Sequence, residues 1–259
     1  MRLFLLPPEF NPDAPLVLKG RDYNYVVNVL RLKEGSRMTG RDRSGKPWNL
    51  TIESISSDSC TLSADQAEEA TETTDALPET GPKKNIILYQ CQPKGRKMDD
   101  IIRMATEAGV LSIVPVKSRY CVSDISAKEK SKLARYDAVI KEAVQQSGSL
   151  VPTAVENIID ISEVPDHFEK TVKNLNRKGI GLFFHQCKAK EDQKDLASLL
   201  EDFDGTVGIL VGSEGGISED EAKFLMSKEF NPVLLKTNIL RCETASIYAV
   251  AAVQTIIEN

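Results

Sequence analysis

The sequence predicts an α/β protein in which a small, mostly β domain precedes a parallel sheet covered by helices on both faces. Short apolar runs alternate with turns over residues 1–64, and strand patterns alternate with helix patterns from residue 85 onward. Between them, residues 67–82 are acidic, rich in threonine and nearly free of large apolar side chains. Such a segment cannot bury a core of its own, and strands separated by helices favour a parallel sheet. We therefore predict domains at residues 1–66 and 83–259, joined by an acidic linker at residues 67–82.

The elements of the first domain indicate a small barrel. Residues 16–18 predict a strand, and residues 22–32 carry apolar side chains at helical spacing. Residues 48–55 alternate between the two faces of a strand, and residues 60–64 complete a hairpin pattern.

The second domain alternates between strands and helices. Strand patterns occur at residues 86–89, 112–116, 181–185, 209–211 and 232–235. Helix patterns occur at residues 98–108, 128–146 and 243–258, and a further apolar segment lies at residues 196–203.

A glycine-rich loop follows the strand at residues 209–211. Gly212, Gly215 and Gly216 allow positive φ and a close approach of the backbone to a ligand. Ser218 and Glu221 then form the pattern of a capping box at the start of a helix. With the strand and loop at residues 232–242, this makes two adjacent strand–loop–helix joints, which suit a small-molecule cleft at the carboxyl ends of parallel strands. Tight connections in an ordinary α/β scaffold remain the alternative.

Composition excludes several classes of protein. The chain has 259 residues, of which 41% are hydrophobic and 27% charged, and no apolar stretch approaches the length of a membrane span. The apolar run at residues 1–6 ends at two prolines, so we do not expect a signal peptide. Two histidines and five scattered cysteines without a C-x-x-C pair argue against a metal centre or a disulfide framework, and favour reduced thiols in a cytoplasm.

Charge is segregated along the chain. Residues 1–50 carry a net charge of +4, residues 51–80 carry −8, and residues 81–150 carry +6. Two basic regions on either side of an acidic connector are typical of a phosphate-binding face, although ordinary solvated charge explains the pattern equally well.

Several segments carry a resemblance to a known family. The most specific is Leu-Arg-Cys-Glu-Thr-Ala at residues 240–245, accompanied by Val-Gly-Ser-Glu-Gly-Gly-Ile-Ser at residues 211–218. Further similar segments lie at residues 97–99, 105–110, 115–121 and 142–152, and residues 29–32 with the following hairpin resemble a PUA-like barrel. The chain therefore resembles the SPOUT class of methyltransferases nearly end to end. Within that class it is similar to the bacterial family that methylates N3 of a uridine in 16S ribosomal RNA.

This resemblance implies a SPOUT-type knotted parallel sheet, a PUA-like β-barrel that binds RNA, an obligate homodimer, and S-adenosylmethionine as cofactor. It assigns cofactor contacts to the loop after the strand at residues 181–185 and to a set of residues on the two later loops: His185, Gly212, Glu214, Gly215, Gly216, Leu235, Ile239 and Leu240. Arg241 would face the target base, and Glu214 would act as a base or, as we favour, hold Arg241. The RNA-binding candidates are Arg31, Lys33, Lys94, Arg96, Lys97 and Arg119.

The chain departs from the family pattern at Met104, Gln145, Ser149 and Asn238. These departures concern contacts with RNA and the choice of base more than the cofactor site. The sequence therefore predicts methylation of a uridine at N3 in 16S ribosomal RNA of the small subunit. Two alternatives stay open: a SPOUT methyltransferase acting on another RNA base, and a non-catalytic RNA-binding factor for ribosome assembly.

Overall fold

A computed structural model describes residues 4–7, 9–42, 46–66, 85–121, 129–149, 151, 153–184, 195–235 and 237–258. The chain divides into two compact units. One comprises Met1–Thr80 with Val144–Pro152, and the other comprises Gly81–Ala143 with Thr153–Asn259. The predicted linker at residues 67–82 lies outside the described residues.

The N-terminal unit contains a five-stranded sheet in the order β1-β3-β4-β5-β2. Its strands are β1 (Phe4–Leu5), β2 (Leu16–Lys19), β3 (Arg37–Arg41), β4 (Pro47–Ile55) and β5 (Ser59–Gln66). All pairings are antiparallel except that of β1 with β3. The alternation predicted for residues 48–55 is confirmed as far as Ile52, because Trp48, Leu50 and Ile52 are buried in the core of this unit; an irregularity in the pairing with β5 between Ile52 and Ser54 then interrupts it.

The helical segment of this unit is not the regular helix that its spacing predicts. A short helix, α1 (Gly20–Tyr23), continues directly into a π-helix over Asn24–Val29. The amide of Leu30 donates to the carbonyl of Tyr25 at 2.8 Å, five residues back. Arg31 follows with φ of +54°, a conformation that only glycine adopts without cost. The wider π turn keeps Val26 fully buried while the chain reverses towards β3.

The C-terminal unit is built on a seven-stranded parallel sheet. Its strands are β6 (Ile86–Cys91), β7 (Ser112–Lys117), β8 (Ala154–Val155), β9 (Ile159–Asp160), β10 (Gly179–Phe184), β11 (Thr206–Val211) and β12 (Asn231–Val233). The order is β12-β10-β11-β6-β7-β8, with β9 also pairing with β7. The two predicted strand–loop–helix segments, which begin with β11 and β12, follow each other along the chain as expected. Their strands are not neighbours in the sheet, because β10 lies between β11 and β12.

Six α-helices follow β5 in the described residues, besides a 3₁₀ helix at Ile161–Glu163. They are α2 (Lys97–Glu107), α3 (Glu129–Ser147), α4 (Val164–Asn174), α5 (Leu196–Leu200), α6 (Glu219–Ser227) and α7 (Cys242–Ile257). Successive strand residues point to opposite faces, so Ile87 and Tyr89 pack with Phe168 of α4 and Leu225 of α6. Helix α7 packs against β6, β11 and α2. Both faces are therefore covered, as the alternation of elements predicts, although α4, β8 and β9 were not expected.

A hydrogen-bonded chain of polar side chains links α4 to the sheet. The Tyr89 hydroxyl lies 3.0 Å from His167 Nδ1, and His167 Nε2 lies 2.9 Å from Glu156 Oε2. The other oxygen of Glu156 accepts a hydrogen bond from the Ser112 hydroxyl. The hydrogen bond with His167 is the main reason that the pKa of Glu156 falls below its ordinary value, against the opposing effect of burial.

This chain predicts a pH-dependent part of the stability. A carboxyl with a lowered folded pKa stabilises the fold above its unfolded pKa of 4.5 and loses that contribution as the pH falls through the folded value. We expect Glu156→Gln to lower the free energy of unfolding at pH 7 by roughly 1 kcal/mol. The difference from wild type should shrink below pH 4.5, as measured by urea unfolding at several pH values. The exposed Glu169→Gln is the control; an equal loss at pH 3 and pH 7 in Glu156→Gln contradicts the assignment.

Candidate functional site

A cavity of about 580 Å³ opens at the carboxyl ends of β10, β11 and β12. This is the edge at which open parallel sheets bind ligands, because the loops that leave neighbouring strands converge there. The lining residues are Lys97, Phe184, Val211, Gly212, Ser213, Glu214, Gly215, Gly216, Ile217, Val233, Leu234, Leu235, Thr237, Asn238, Ile239, Leu240, Arg241, Cys242 and Ala245. All belong to the C-terminal unit.

The cavity brings together nearly all of the predicted cofactor residues. Those on the glycine loop (Gly212, Glu214, Gly215, Gly216) and those on the loop after β12 (Leu235, Ile239, Leu240) line it, as does Arg241. His185 lies outside the described residues, although Phe184, the last residue of β10, lines the cavity.

The glycine loop needs its glycines for different reasons. A Cβ on Gly212 would stand 2.8 Å from the carbonyl carbon of Gly216, and one on Gly215 would stand 2.6 Å from Cβ of Tyr120. Gly216 has φ of +73° and donates its amide to the carbonyl of Ser213 at 2.9 Å. The loop is therefore a tight turn in which two backbone segments touch.

The end of this turn is fixed by the predicted capping box. Ser218 is the N-cap of α6, and its hydroxyl accepts from the amide of Glu221. The Glu221 carboxylate in turn accepts from the Ser218 amide at 2.8 Å. Ile217, between the turn and the cap, is buried in the core beneath α6. The protein's own contacts therefore hold the end of the loop in place.

The loop after β12 forms the opposite border of the cavity. Strand β12 ends at Val233, two residues before the predicted end, and Arg241 is the N-cap of α7. The side chain of Arg241 is exposed, and its carbonyl accepts from the Ala245 amide at 2.8 Å. Ile239 is 84% exposed although it lines the cavity. Arg241 thus lies at the rim of the cavity, immediately before the first residue of α7.

Glu214 does not hold Arg241, which corrects our favoured interpretation of that pair. The Glu214 carboxylate lies 2.9 Å from Lys97 Nζ and accepts from the Lys94 amide at 3.2 Å. No carboxylate of the described residues lies within ion-pair distance of Arg241. Lys97 also lies 3.3 Å from Glu243 Oε2, so one ammonium bridges two carboxylates.

These contacts set the acid–base character of the rim. Burial alone would raise the pKa of Glu214, but the hydrogen bond from Lys97 and nearby backbone amides outweigh it and lower the pKa. Burial also opposes the shift at Glu243, whose pKa is lowered by hydrogen bonds from its own amide, the Cys242 thiol and Lys97. The hydrogen bond to Glu214 is the main cause of the raised pKa of Lys97. Glu214 is consequently a weak base, which disfavours its alternative role in deprotonating a substrate.

A buried polar group behind the cavity was not recognised from the sequence. Gln90, at the end of β6, is fully buried and donates to the carbonyl of Cys91 at 2.9 Å and of Gly212 at 3.5 Å. The Ser246 hydroxyl lies within hydrogen-bond distance of both the Gln90 side-chain oxygen and the carbonyl of Cys242, the latter at 2.7 Å, and donates its single proton to one of them at a time. Gln90 therefore ties the glycine loop to the first turn of α7. An isolated glutamine in an apolar strand was the only available signal.

The remaining RNA-binding candidates are distributed over both units. Arg31 and Lys33 are exposed in the N-terminal unit, while Lys94 and Arg96 are exposed just before α2. The Arg119 guanidinium lies 3.1 Å from Asp220, and both side chains are largely exposed. Lys97 alone among these candidates lines the cavity.

In the described part of the chain, no group of three or more His, Cys, Asp and Glu side chains is arranged to hold a metal ion. None of the helices within these ranges is both long and apolar enough to cross a membrane.

Two family models match the chain. Residues 80–254 match the RNA methyltransferase domain, and residues 18–65 match the RNA methyltransferase PUA domain. The first model alone covers more than half of the sequence, and the two occur in the order that the resemblance implies.

Relatives and a solved structure agree with these models. The ribosomal RNA small subunit methyltransferase E of Aquifex aeolicus is 31% identical over 72% of this chain and 76% of its own. The ribosomal RNA small subunit methyltransferase E 2 of Borreliella burgdorferi is 27% identical over 94% of this chain and 92% of its own. The chain is also similar to the crystal structure of a ribosomal RNA small subunit methyltransferase E from Neisseria gonorrhoeae bound to S-adenosyl methionine. The TM-score is 0.75 at 26% identity, and the match covers 98% of this chain and 97% of that one.

The tight turn predicts a large effect of a single methyl group. Gly212→Ala places a Cβ 2.8 Å from the Gly216 carbonyl carbon, so the loop must move. We expect a loss of about 2 kcal/mol in the free energy of unfolding and loss of S-adenosylmethionine binding, measured by denaturant titration and calorimetry. Gly35→Ala is the control because it should also cost stability, through its φ of +77°, but lies in the N-terminal unit, away from the cavity. Retention of wild-type affinity in Gly212→Ala contradicts the importance of the turn.

Proposed function

The chain belongs to the RNA methyltransferase family that includes ribosomal RNA small subunit methyltransferase E, and from this premise we propose that it methylates N3 of a uridine in 16S ribosomal RNA. It is an S-adenosylmethionine-dependent methyltransferase of ribosomal RNA. The observation that carries the proposal is the cavity at the carboxyl ends of β10–β12, with a glycine turn on one border and Arg241 on the other.

The residues of the cavity suit S-adenosylmethionine. Its volume of about 580 Å³ lies in the range of small-molecule sites. Apolar side chains such as Phe184, Val233 and Leu240 favour an adenine ring, and the close packing of Gly212 on Gly216 leaves backbone groups facing the space. Lys97 and Glu214 line the cavity, and together with Glu243, which pairs with Lys97, they carry a net negative charge that favours a cationic ligand. We assign the cofactor contacts to Gly212, Glu214, Gly215, Gly216, Leu235, Ile239 and Leu240. When bound, the cofactor supplies an electrophilic methyl group.

The chemistry at N3 explains what the other residues must do. N3 of a neutral uridine carries a proton, so its lone pair becomes nucleophilic only as that proton leaves. N3 also lies on the Watson–Crick edge, so the base must be unpaired before the site can reach it. The protein therefore has to hold an exposed base in line with the methyl group and stabilise the negative charge that develops on the ring.

Arg241 is the residue that we assign to charge stabilisation. Its guanidinium presents several donors in one plane, which suits O2 or O4 of a uridine anion. Because no carboxylate of the described residues neutralises it, its charge is available to a substrate. An interaction of this kind contributes on the order of 3 kcal/mol to a transition state.

The basic residues outside the cavity provide the contacts that position RNA. We assign phosphate contacts to Arg31 and Lys33 in the N-terminal unit and to Lys94, Arg96 and Arg119 in the C-terminal unit. Phosphate contacts fix the register of a nucleic acid without reading its sequence, so the choice of uridine lies with the cavity. We further propose that the enzyme acts as a homodimer in the cytoplasm, where ribosomal RNA is assembled into subunits.

Substitution of Arg241 tests the function and its mechanism together. We expect Arg241→Ala to reduce kcat for transfer of a labelled methyl group to 16S ribosomal RNA by roughly 100-fold. Its affinity for S-adenosylmethionine, measured by calorimetry, should stay within about twofold of wild type because the guanidinium acts on the base.

Arg241→Lys, which keeps the charge but loses the planar donors, should retain part of the activity. Full turnover in Arg241→Ala would mean that another residue stabilises the uridine anion. A wild-type protein that binds no S-adenosylmethionine at millimolar concentration would favour a non-catalytic RNA-binding factor instead.

A further inference from the structure

Lys97 occupies an unusual position between the two borders of the cavity. It is the first residue of α2, and its ammonium lies 2.9 Å from Glu214 Oε1 and 3.3 Å from Glu243 Oε2. Glu214 belongs to the glycine turn, whereas Glu243 belongs to the first turn of α7, two residues after Arg241. One side chain thus connects three segments that are far apart in the sequence.

Each carboxylate in this bridge is also held by a second contact. Glu214 accepts from the Lys94 amide at 3.3 and 3.2 Å, through both of its oxygens. Glu243 Oε2 accepts from the Cys242 thiol at 3.2 Å. The side chains of Lys97, Glu214 and Glu243 are only 32%, 26% and 20% exposed. Partial shielding and fixed partners make this bridge more directional than an ion pair in open solvent.

The charge of the cluster disfavours a phosphate ligand at Lys97. One ammonium and two carboxylates carry a net charge of −1, and the ammonium already pairs with both carboxylates. A phosphate that approached Lys97 would also approach both carboxylates. The prediction that Lys97 binds RNA is therefore the weaker interpretation of this residue.

We propose that Lys97 is a positioning residue for methyl transfer, which rests on the function proposed above. Its ammonium fixes the glycine turn relative to the N-terminus of α7, and so holds the cofactor cavity and Arg241 in one arrangement. Lys97 acts through Glu214 and Glu243 and touches neither RNA nor the reacting atoms.

Steady-state kinetics separate this role from RNA binding. We expect Lys97→Met to raise KM and Kd for S-adenosylmethionine about tenfold and to leave KM for RNA within about twofold. Lys97→Arg should restore cofactor affinity to within about threefold, because a guanidinium can bridge the same carboxylates. Lys223→Met, which removes an exposed lysine on α6, is the matched control and should behave as wild type. A raised KM for RNA with unchanged cofactor affinity would overturn the proposal.

A double-mutant cycle tests the path through the carboxylates. In a Glu214→Gln, Glu243→Gln background the ion pairs are already absent, so Lys97→Met should change Kd for the cofactor by less than about twofold. If Lys97→Met still weakens binding tenfold in that background, the lysine acts independently of both carboxylates and the proposal fails.

Amide hydrogen exchange without cofactor gives a readout that does not depend on activity. We expect Lys97→Met to speed exchange at residues 212–217 and 242–246 about threefold or more, with Lys97→Arg and Lys223→Met close to wild type. Failure of the wild-type protein to bind S-adenosylmethionine would contradict the proposed function. The exchange measurement would still show whether Lys97 holds the two segments, because it is made without cofactor. Unchanged exchange at both segments would show that Lys97 does not hold them.

Discussion

The close approach of two backbone segments in the glycine turn is the constraint on which the site depends. Gly212 comes so near to Gly216 that a Cβ would displace the loop, which runs from the end of β11 into the cap of α6. The same path places Glu214 against Lys97 and leaves Ile217 in the core. A steric requirement of the backbone therefore decides where a carboxylate and a hydrophobic anchor are found.

Two sets of polar contacts then connect this turn to α7. One is the hydrogen bond between Gln90 and Ser246, which are both fully buried, and the other is the pair of ion pairs made by Lys97 nearer the surface. Since a buried polar group is stable only when its partners are in place, the buried hydrogen bond favours one arrangement of loop and helix over others. Arg241 lies at the start of that helix, and because its side chain is exposed, a substrate can reach its positive charge.

Local signals predicted much of this molecule, and non-local contacts account for what they missed. The capping box of Ser218 and Glu221 and the alternation of β4 depend on neighbouring residues, so both could be read from the sequence. The insertion of β10 between β11 and β12 could not, because strand order follows from packing across the whole sheet. Lys97 and Glu214 are 117 residues apart, and no spacing rule links them. The expectation that Glu214 pairs with Arg241 was wrong for that reason.

The central claim is that this scaffold directs a methyl group to N3 of a uridine in small-subunit ribosomal RNA. Nucleoside analysis of 16S ribosomal RNA from cells that lack the gene tests it most directly. The account predicts that N3-methyluridine disappears, and that the wild-type gene restores it whereas an Arg241→Ala copy does not. An unchanged amount of N3-methyluridine in the RNA of the deletion strain would contradict the account.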